Sequence, residues 1–437
     1  MLYTQYITKI EAQIKNISPL RIGDGDEGII LDSHMGKPML PASGIVGAFR
    51  SYLEKSGEDQ GQINKMFGIK ETGEKSHIFV SDAVTETEYD GALEVRDRIR
   101  INPATGTVDG RQKFETKLLK SGYKFKVEFT VESENADEKE AFLRLLYQSL
   151  EALAKQEIRL GAQKTNGGGA FAVTRVHEWE YDLLKIQDLQ DYLNERIRNK
   201  KNKTEDIRKI QLKSSMIQIC AKVQCEGPLM IGGGSYETAG TAEERFIENR
   251  SGKKFIPGST LKGLLRAQCS KIAELKKLDA ELMKNMFGEG GSSGRQGSVF
   301  LSDSMIDETS KGTVYHGIRM NKFTGGTWMG GKYASHPVKC KFAIKINIQN
   351  LPDRQRNGAA GLILFALRDL LQGRVSLGGN FGKGFGRLLG DSIEITDQTT
   401  EKIYLNNSEG KIKIDKYLKD LESFAGGSKN EESNGTV

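Results

Sequence analysis

The chain has 437 residues, of which 37% are hydrophobic and 28% charged, and its net charge is +6 at neutral pH. No apolar run reaches the roughly 18 residues of a spanning helix, so no transmembrane segment is indicated, and 8 prolines are few, so disorder is not the cause of the 50 glycines. The mild basicity permits a polyanionic partner without demanding one. The length suits two domains of about 200 residues, each able to bury its own core.

The N-terminal stretch Met1–Ile17 alternates polar and apolar residues, which reads as a strand from Tyr3 and not as a signal peptide. A glycine-rich loop follows, and then Pro41-Ala42-Ser43 opens a helix with Ile45, Phe49 and Leu53 at helical spacing. Ser43 is the expected N-cap. A short strand, His77–Val80, ends in Ser81-Asp82. A long polar loop carries Arg100-Ile101-Asn102-Pro103-Ala104-Thr105-Gly106. An alternating strand (Tyr123–Phe129), an amphipathic helix (Glu138–Lys155), a glycine loop (Leu160–Phe171) and a last strand (Phe171–Val176) complete the string. The segment from Leu183 to Lys213 is strongly charged and reads as a solvated helical linker.

The same string then recurs. Pro19-Leu20-Arg21-Ile22-Gly23 answers Pro228-Leu229-Met230-Ile231-Gly232, and Leu40-Pro41-Ala42-Ser43 answers Ile256-Pro257-Gly258-Ser259. Met66-Phe67-Gly68 answers Met286-Phe287-Gly288. Arg100–Gly106 answers Arg319-Met320-Asn321-Lys322-Phe323-Thr324-Gly325, and Leu160-Gly161 answers Leu377-Gly378. The matches keep their order at offsets between 209 (Pro19 to Pro228) and 220 (Met66 to Met286) positions, so the chain is two copies of one domain. The expected boundaries are 1–182 for the first domain, 183–213 for the linker, 214–425 for the second domain and 426–437 for a disordered tail. Each copy reads β-α-β-β-α-β, the ferredoxin-like order. Cys220, Cys225, Cys269 and Cys340 lack CxxC spacing and read as reduced packing residues of a cytosolic protein.

Three features carry chemistry. The 50 glycines gather in the repeated motifs, where bare backbone can approach another molecule. In the terminal loops, Gly161, Lys164, Asn166, Gly168 and Gly169 answer Gly378–Arg387, with Lys383, Phe385 and Arg387. Backbone N–H groups, with charge from Lys164, Lys383 and Arg387, suit an anion. A dinucleotide fingerprint is disfavoured, because the loop follows a helix and opens a strand. The first-helix N-termini form a second anion-binding feature, with Ser43 and Arg50 in copy one and Ser259, Thr260, Lys262 and Arg266 in copy two. The long loops form the third. Arg96, Arg98, Arg100, Arg111 and Lys113 lie in the first, and Arg319, Lys322, Phe323, Trp328, Met329, Lys332, Tyr333 and His336 in the second. Basic and aromatic residues together suit single-stranded RNA.

Taken together, these motifs resemble the RAMP superfamily of CRISPR-associated proteins. Leu377–Arg387 is similar to its C-terminal glycine-rich loop, and Ile256-Pro257-Gly258-Ser259-Thr260-Leu261-Lys262-Gly263 to a motif of its type III backbone subunits. Arg319–Gly326 resembles the segment leading into the thumb hairpin. The resemblance implies an α+β fold with two tandem ferredoxin-like (RRM-like) RAMP domains and inserted thumbs, as in type III-D effector complexes. It implies a cytoplasmic protein whose partners are guide RNA, target RNA and other backbone and signalling subunits. It further implies metal-dependent cleavage of target RNA, with Mg2+ or Mn2+, at regular six-nucleotide steps.

The resemblance places the catalytic acid at Asp26, fifteen positions before Pro41, within Asp24-Gly25-Asp26-Glu27. Such a carboxylate can hold a metal ion or take the proton of an attacking 2′-hydroxyl. A solvated acidic turn is the alternative reading, and Asp32 is a further candidate. Copy two has no Asp between Ile231 and Pro257; there Glu243 or Glu244 acts, or the copy only holds RNA. A scaffold with no catalysis and a stand-alone precursor-processing endoribonuclease are the competing readings. The last needs a His or Tyr/Lys acid–base set that the sequence does not plainly offer.

Overall fold

The computed structural model describes residues 4–425 apart from 24–27, 70–71, 92, 102–107, 214–215, 239–240, 250, 291–293, 311–312, 398 and 405–408. The chain forms two compact units. The first comprises Met1–Val95, Thr116–Lys164 and Gly168–Ser214; the second comprises Arg96–Glu115, Thr165–Gly167 and Ser215–Val437.

In the first unit the strand Tyr6–Asn16 runs antiparallel between Lys124–Ser133 and Phe171–Asp182, and Ile78–Val80 pairs outside Lys124–Ser133. Written in domain order the sheet reads 4-1-3-2, the ferredoxin-like arrangement. Alternation puts Ile10, Ala12 and Ile14 on the buried face of the first strand, with Phe125, Val127, Phe129 and Val131 beside them. The helices Ala42–Lys55 and Ala136–Ala154 cover that face through Ile45, Phe49 and Leu53, and through Phe142, Leu145, Leu146 and Leu150. The Phe49 and Phe129 rings stack with centroids 6.0 Å apart. Each such side chain contributes about 1.5–3 kcal/mol by leaving water.

The second unit repeats this plan. Ile217–Cys225 lies between Lys339–Ile348 and Ser392–Asp397, and Val299–Leu301 pairs outside Lys339–Ile348. Gly258–Lys276 and Asp353–Leu371 supply the two helices. The last strand is broken into Leu388–Leu389 and Ser392–Asp397. The helix Asp353–Leu371 begins directly after Pro352, which holds its N-cap position. A further helix, Glu409–Glu422, covers it by burying Tyr417 and Leu421, which is why Asp353–Leu371 is buried almost all round. The sequence reading missed this helix.

Two other expectations change. Ser43 and Ser259 do not cap the first helices: Pro41 and Pro257 hold the N-cap positions with extended backbone, and neither makes a side-chain cap bond. The acceptor comes from the strand-end aspartates instead. Asp82 Oδ1 accepts from the Ala42 N–H at 2.7 Å and Asp303 Oδ1 from the Gly258 N–H at 2.8 Å. The segment 183–213 contains Ile186–Leu193, Lys201–Asn202 and Thr204–Arg208, and it belongs to the first unit. Lys201–Asn202 pairs with the edge of Phe171–Asp182, and Lys200 bridges to Glu11 at 3.1 Å.

Candidate nucleic-acid interface

The terminal glycine loops are built identically in the two copies. Leu160 N–H donates to the Gly169 carbonyl at 2.9 Å, and Leu377 N–H to the Gly386 carbonyl at 2.9 Å. Ala162 N–H donates to Arg21 and Gly379 N–H to Met230, both closing the loop onto the repeated Pro-Leu segment. Gly161 and Gly378 have φ of +79° and +84°, and a Cβ would come within 2.3 Å of the Arg21 and Met230 carbonyl oxygens respectively. Only glycine fits, so part of the glycine excess serves close backbone packing and not a ligand. Several loop N–H groups expected to face an anion are therefore engaged within the protein.

In the first unit three repeated motifs converge on one cleft of about 270 Å³. Ile22, Gly23, Ile30, Pro41, Ser43 and Gly161 are among its lining residues, so the start of the acidic loop, the helix N-terminus and the glycine loop share a wall. Ser43 is exposed at the second helical position. Lys164, at the end of this unit's loop, is half-buried, and burial together with the nearby Lys55 lowers its pKa. Arg50 is committed to the protein: it bonds Glu54 at 3.0 Å, the Gly68 carbonyl at 2.9 Å and Asn64 at 3.1 Å. These bonds tie the first helix to the repeated Met-Phe-Gly turn, a structural role the sequence reading did not give it. Asp26 lies outside the described residues. Asp32 folds back on its own loop, accepting from the His34 and Met35 N–H groups.

In the second unit Lys262 is 9% exposed, in the first turns of its helix, and makes no ion pair among the described residues. Burial, with Arg266 close by, pushes its pKa down to about 8. Ser259 and Thr260 are half-buried and Arg266 is exposed at the same end. Lys383 is exposed, donates to the Tyr333 hydroxyl at 2.8 Å and lies 4.7 Å from the centre of that ring. Arg387 pairs with Glu226 at 2.8 Å. Phe385 is buried and its ring lies 5.1 Å from that of Tyr315 in an edge-type contact, so it packs the loop. Asn166 and Gly168 sit within the first glycine loop, half-buried and buried.

The long loops are hairpins. The first pairs Glu94–Ile101 with Val108–Leu118; Arg98, Arg100, Arg111 and Lys113 lie on these strands, and 102–107 lie outside the described residues. The second pairs Tyr315–Met320 with Thr327–His336. Its tip presents Phe323 at 87% exposure, Trp328 at 59% and Met329 fully exposed, with Lys322 4.9 Å from the Phe323 ring and Arg319 exposed beside them. Folding alone does not explain so many uncovered large apolar side chains on one ribbon.

The loop expected between Ile231 and Pro257 is also different. It folds as Gly232–Thr238 and Thr241–Phe246, and the second of these runs parallel to Thr327–His336, giving a four-stranded sheet with the hairpin. Glu243 Oε2 accepts from both Nε and Nη2 of Arg245 at 3.1 and 2.8 Å, with His336 at 3.9 Å. Glu244 accepts from Asn380 at 3.3 Å. A carboxylate already neutralised by arginine is a poor ligand for a divalent cation, and no group of three or more His, Cys, Asp or Glu residues is placed to hold a metal among the described residues. The four cysteines are free thiols, and Cys225 and Cys340 face each other across paired strands at 3.5 Å. No helix among the described residues is long and apolar enough to cross a membrane.

No curated protein matches the chain significantly. The family model of the RAMP superfamily matches it twice, over residues 13–172 and 222–388, one match in each copy of the repeat. Two ferredoxin-like modules with matching glycine loops and both matches in register lead to one conclusion: the chain belongs to the RAMP superfamily of CRISPR-associated RNA-binding proteins.

Proposed function

We propose that the chain is a backbone subunit of a type III CRISPR effector complex, in which its two modules hold successive stretches of one guide RNA. The observation that carries this reading is Lys262: a lysine side chain largely out of solvent, at a helix N-terminus beside Arg266 and with no ion pair among the described residues, is completed by an anion. A phosphodiester supplies that charge, and the exposed Phe323, Trp328 and Met329 supply surfaces on which bases can stack or be wedged apart. Cytoplasmic location and the other subunits of such a complex are parts of the same proposal.

The first module is further proposed to cut target RNA paired with the guide. Asp26 is the residue for this step, with Asp24 and Glu27 as neighbours in an acidic run. Its carboxylate would accept the proton of a 2′-hydroxyl as that oxygen bonds to the adjoining phosphorus and the P–O5′ bond breaks, leaving a 2′,3′-cyclic phosphate and a 5′-oxygen that takes a proton from water. If Asp26 and its acidic neighbours held Mg2+ or Mn2+, the ion would supply charge neutralisation on the phosphate oxygens. In the second module Glu243 is taken up by Arg245 and Glu244 accepts from Asn380, and this module holds RNA without cutting. The test is to map target cuts on a guide-loaded complex with and without Mg2+, for wild type and Asp26→Ala. A non-catalytic scaffold is the second reading, and it is favoured if wild type leaves target RNA whole.

A further inference from the structure

The internal repeat gives this chain a built-in comparison at one place. In both copies the strand-end aspartate spends one carboxylate oxygen on the first N–H of the first helix, Ala42 or Gly258. The other oxygen differs. Asp303 Oδ2 accepts from Arg96 Nη2 at 2.8 Å, and both side chains are nearly out of solvent, at 12% and 7% exposure. The guanidinium lies 4.6 Å over the Phe255 ring. Gly167 fits so tightly against the same carboxylate that a Cβ there would stand 2.7 Å from Oδ1. Arg96, Gly167 and Asp303 all belong to the second unit. The arginine charge offsets the cost of taking this carboxylate out of water.

Asp82 has the first half of this arrangement and not the second. Its side chain is exposed and makes no ion pair among the described residues. Met39 stands where Phe255 stands, and Ala42 where Gly258 stands. The matching donor loop at the far end of the repeat is also open: Gly384 holds the position of Gly167, and nothing lies within 4 Å of where its Cβ would be. The residue at the Arg96 position in copy two is Tyr315, whose ring is packed against Phe385. A second copy of this chain therefore brings no arginine to the contact.

We propose that Asp82 is the docking point for an arginine carried on the hairpin of a different RAMP-type chain, which it pairs with as Asp303 pairs with Arg96. This rests on the reading of the chain as one subunit of an RNA–protein complex, and it names the contact that joins the chain to its neighbour. Such a contact is heterologous, with Asp82 of this chain as the acceptor. Arginine suits the site because its planar group can lie over Met39 while donating to the carboxylate. The Ala42 methyl holds the incoming loop a few tenths of an ångström farther out than Asn166, whose carbonyl would lie 3.2 Å from a Cβ at Gly258.

The substitution Asp82→Asn retains an oxygen for the Ala42 N–H and removes the charge. The full chain, tagged and expressed in the cells that encode it, is purified as its complex, and native mass spectrometry reads the protein composition. RNA content and the thermal midpoint of the purified chain are measured on the same preparations. The expected result is that wild type carries an adjoining RAMP-type chain, that Asp82→Asn retains it at least tenfold less, and that the thermal midpoint is unchanged. Equal retention in both preparations overturns the proposal, as does a neighbour that proves to be a second copy of this chain or the absence of any neighbour. A wild-type complex without RNA contradicts the functional reading but leaves the protein composition to be read independently.

Discussion

Glu243 and Arg245 lie two residues apart on one strand, and Arg245 turns back to give both Nε and Nη2 to a single carboxylate oxygen at 3.1 and 2.8 Å. That pair occupies the segment where copy one carries its acidic run. Substituting Glu243→Gln or Glu244→Gln in a guide-loaded complex is expected to leave the number and position of target cuts unchanged. Loss of a cut on a denaturing gel would return the second module to the catalytic class.

Lys262 gives a pH dependence with a definite direction. Burial and Arg266 lower its pKa from 10.5 in the unfolded chain to about 8 in the folded one. Between those values the unfolded chain binds more protons, so this residue's contribution to stability rises with pH; below the folded pKa the fold carries a buried charge at a cost. Lys262→Met should therefore stabilise the free protein at pH 7 by about 1–3 kcal/mol, a gain that fades as pH rises towards 10. The same variant should bind RNA roughly tenfold more weakly at pH 7. Wild-type affinity should fall between pH 7 and 9 more steeply than that of the variant. Chemical unfolding and fluorescence anisotropy at matched salt check both arms.

Gly161 and Gly378 are predicted to be intolerant of a side chain for a reason independent of RNA. Each has positive φ and a carbonyl oxygen 2.3 Å from the would-be Cβ. Alanine at either position should cost about 2–4 kcal/mol in urea unfolding. Gly382→Ala, in the same loop with nothing within 4 Å, should change stability by less than about 1 kcal/mol. Equal costs at all three positions would contradict the packing account.

The exposed ring of Trp328 should matter to RNA and not to folding. Trp328→Ala is expected to leave the unfolding midpoint unchanged and to weaken single-stranded RNA binding by about 1–3 kcal/mol. A loss of stability without a loss of affinity would make the tip a packing surface.

How much of this was readable from residues follows the range of each interaction. The sheet order follows from the repeat because alternation and helical spacing are local signals, seen at Ile10, Ala12 and Ile14 and again at Ile45, Phe49 and Leu53. The caps were not readable. Asp82 reaches Ala42 across 40 positions and Asp303 reaches Gly258 across 45, and no local pattern encodes such a pairing, although Ser81-Asp82 stands out at its strand end. Arg50 was assigned to RNA on its charge, and only the fold shows its donors spent on Glu54, Asn64 and Gly68. The hairpin containing Glu243 was taken for a loop because Gly232, Gly233 and Gly234 mask its strand character. The helix Glu409–Glu422 was hidden by a lysine-rich sequence whose apolar side shows only once Tyr417 and Leu421 are buried.

The most direct test of the central claim is the cut map of target RNA on a guide-loaded complex, compared between wild type and Asp26→Ala in the presence of Mg2+. The account predicts that the substitution removes the cut assigned to this chain's first module while the amount of bound guide RNA stays the same. An unchanged cut pattern, or a wild-type chain that carries no guide RNA at all, would contradict it.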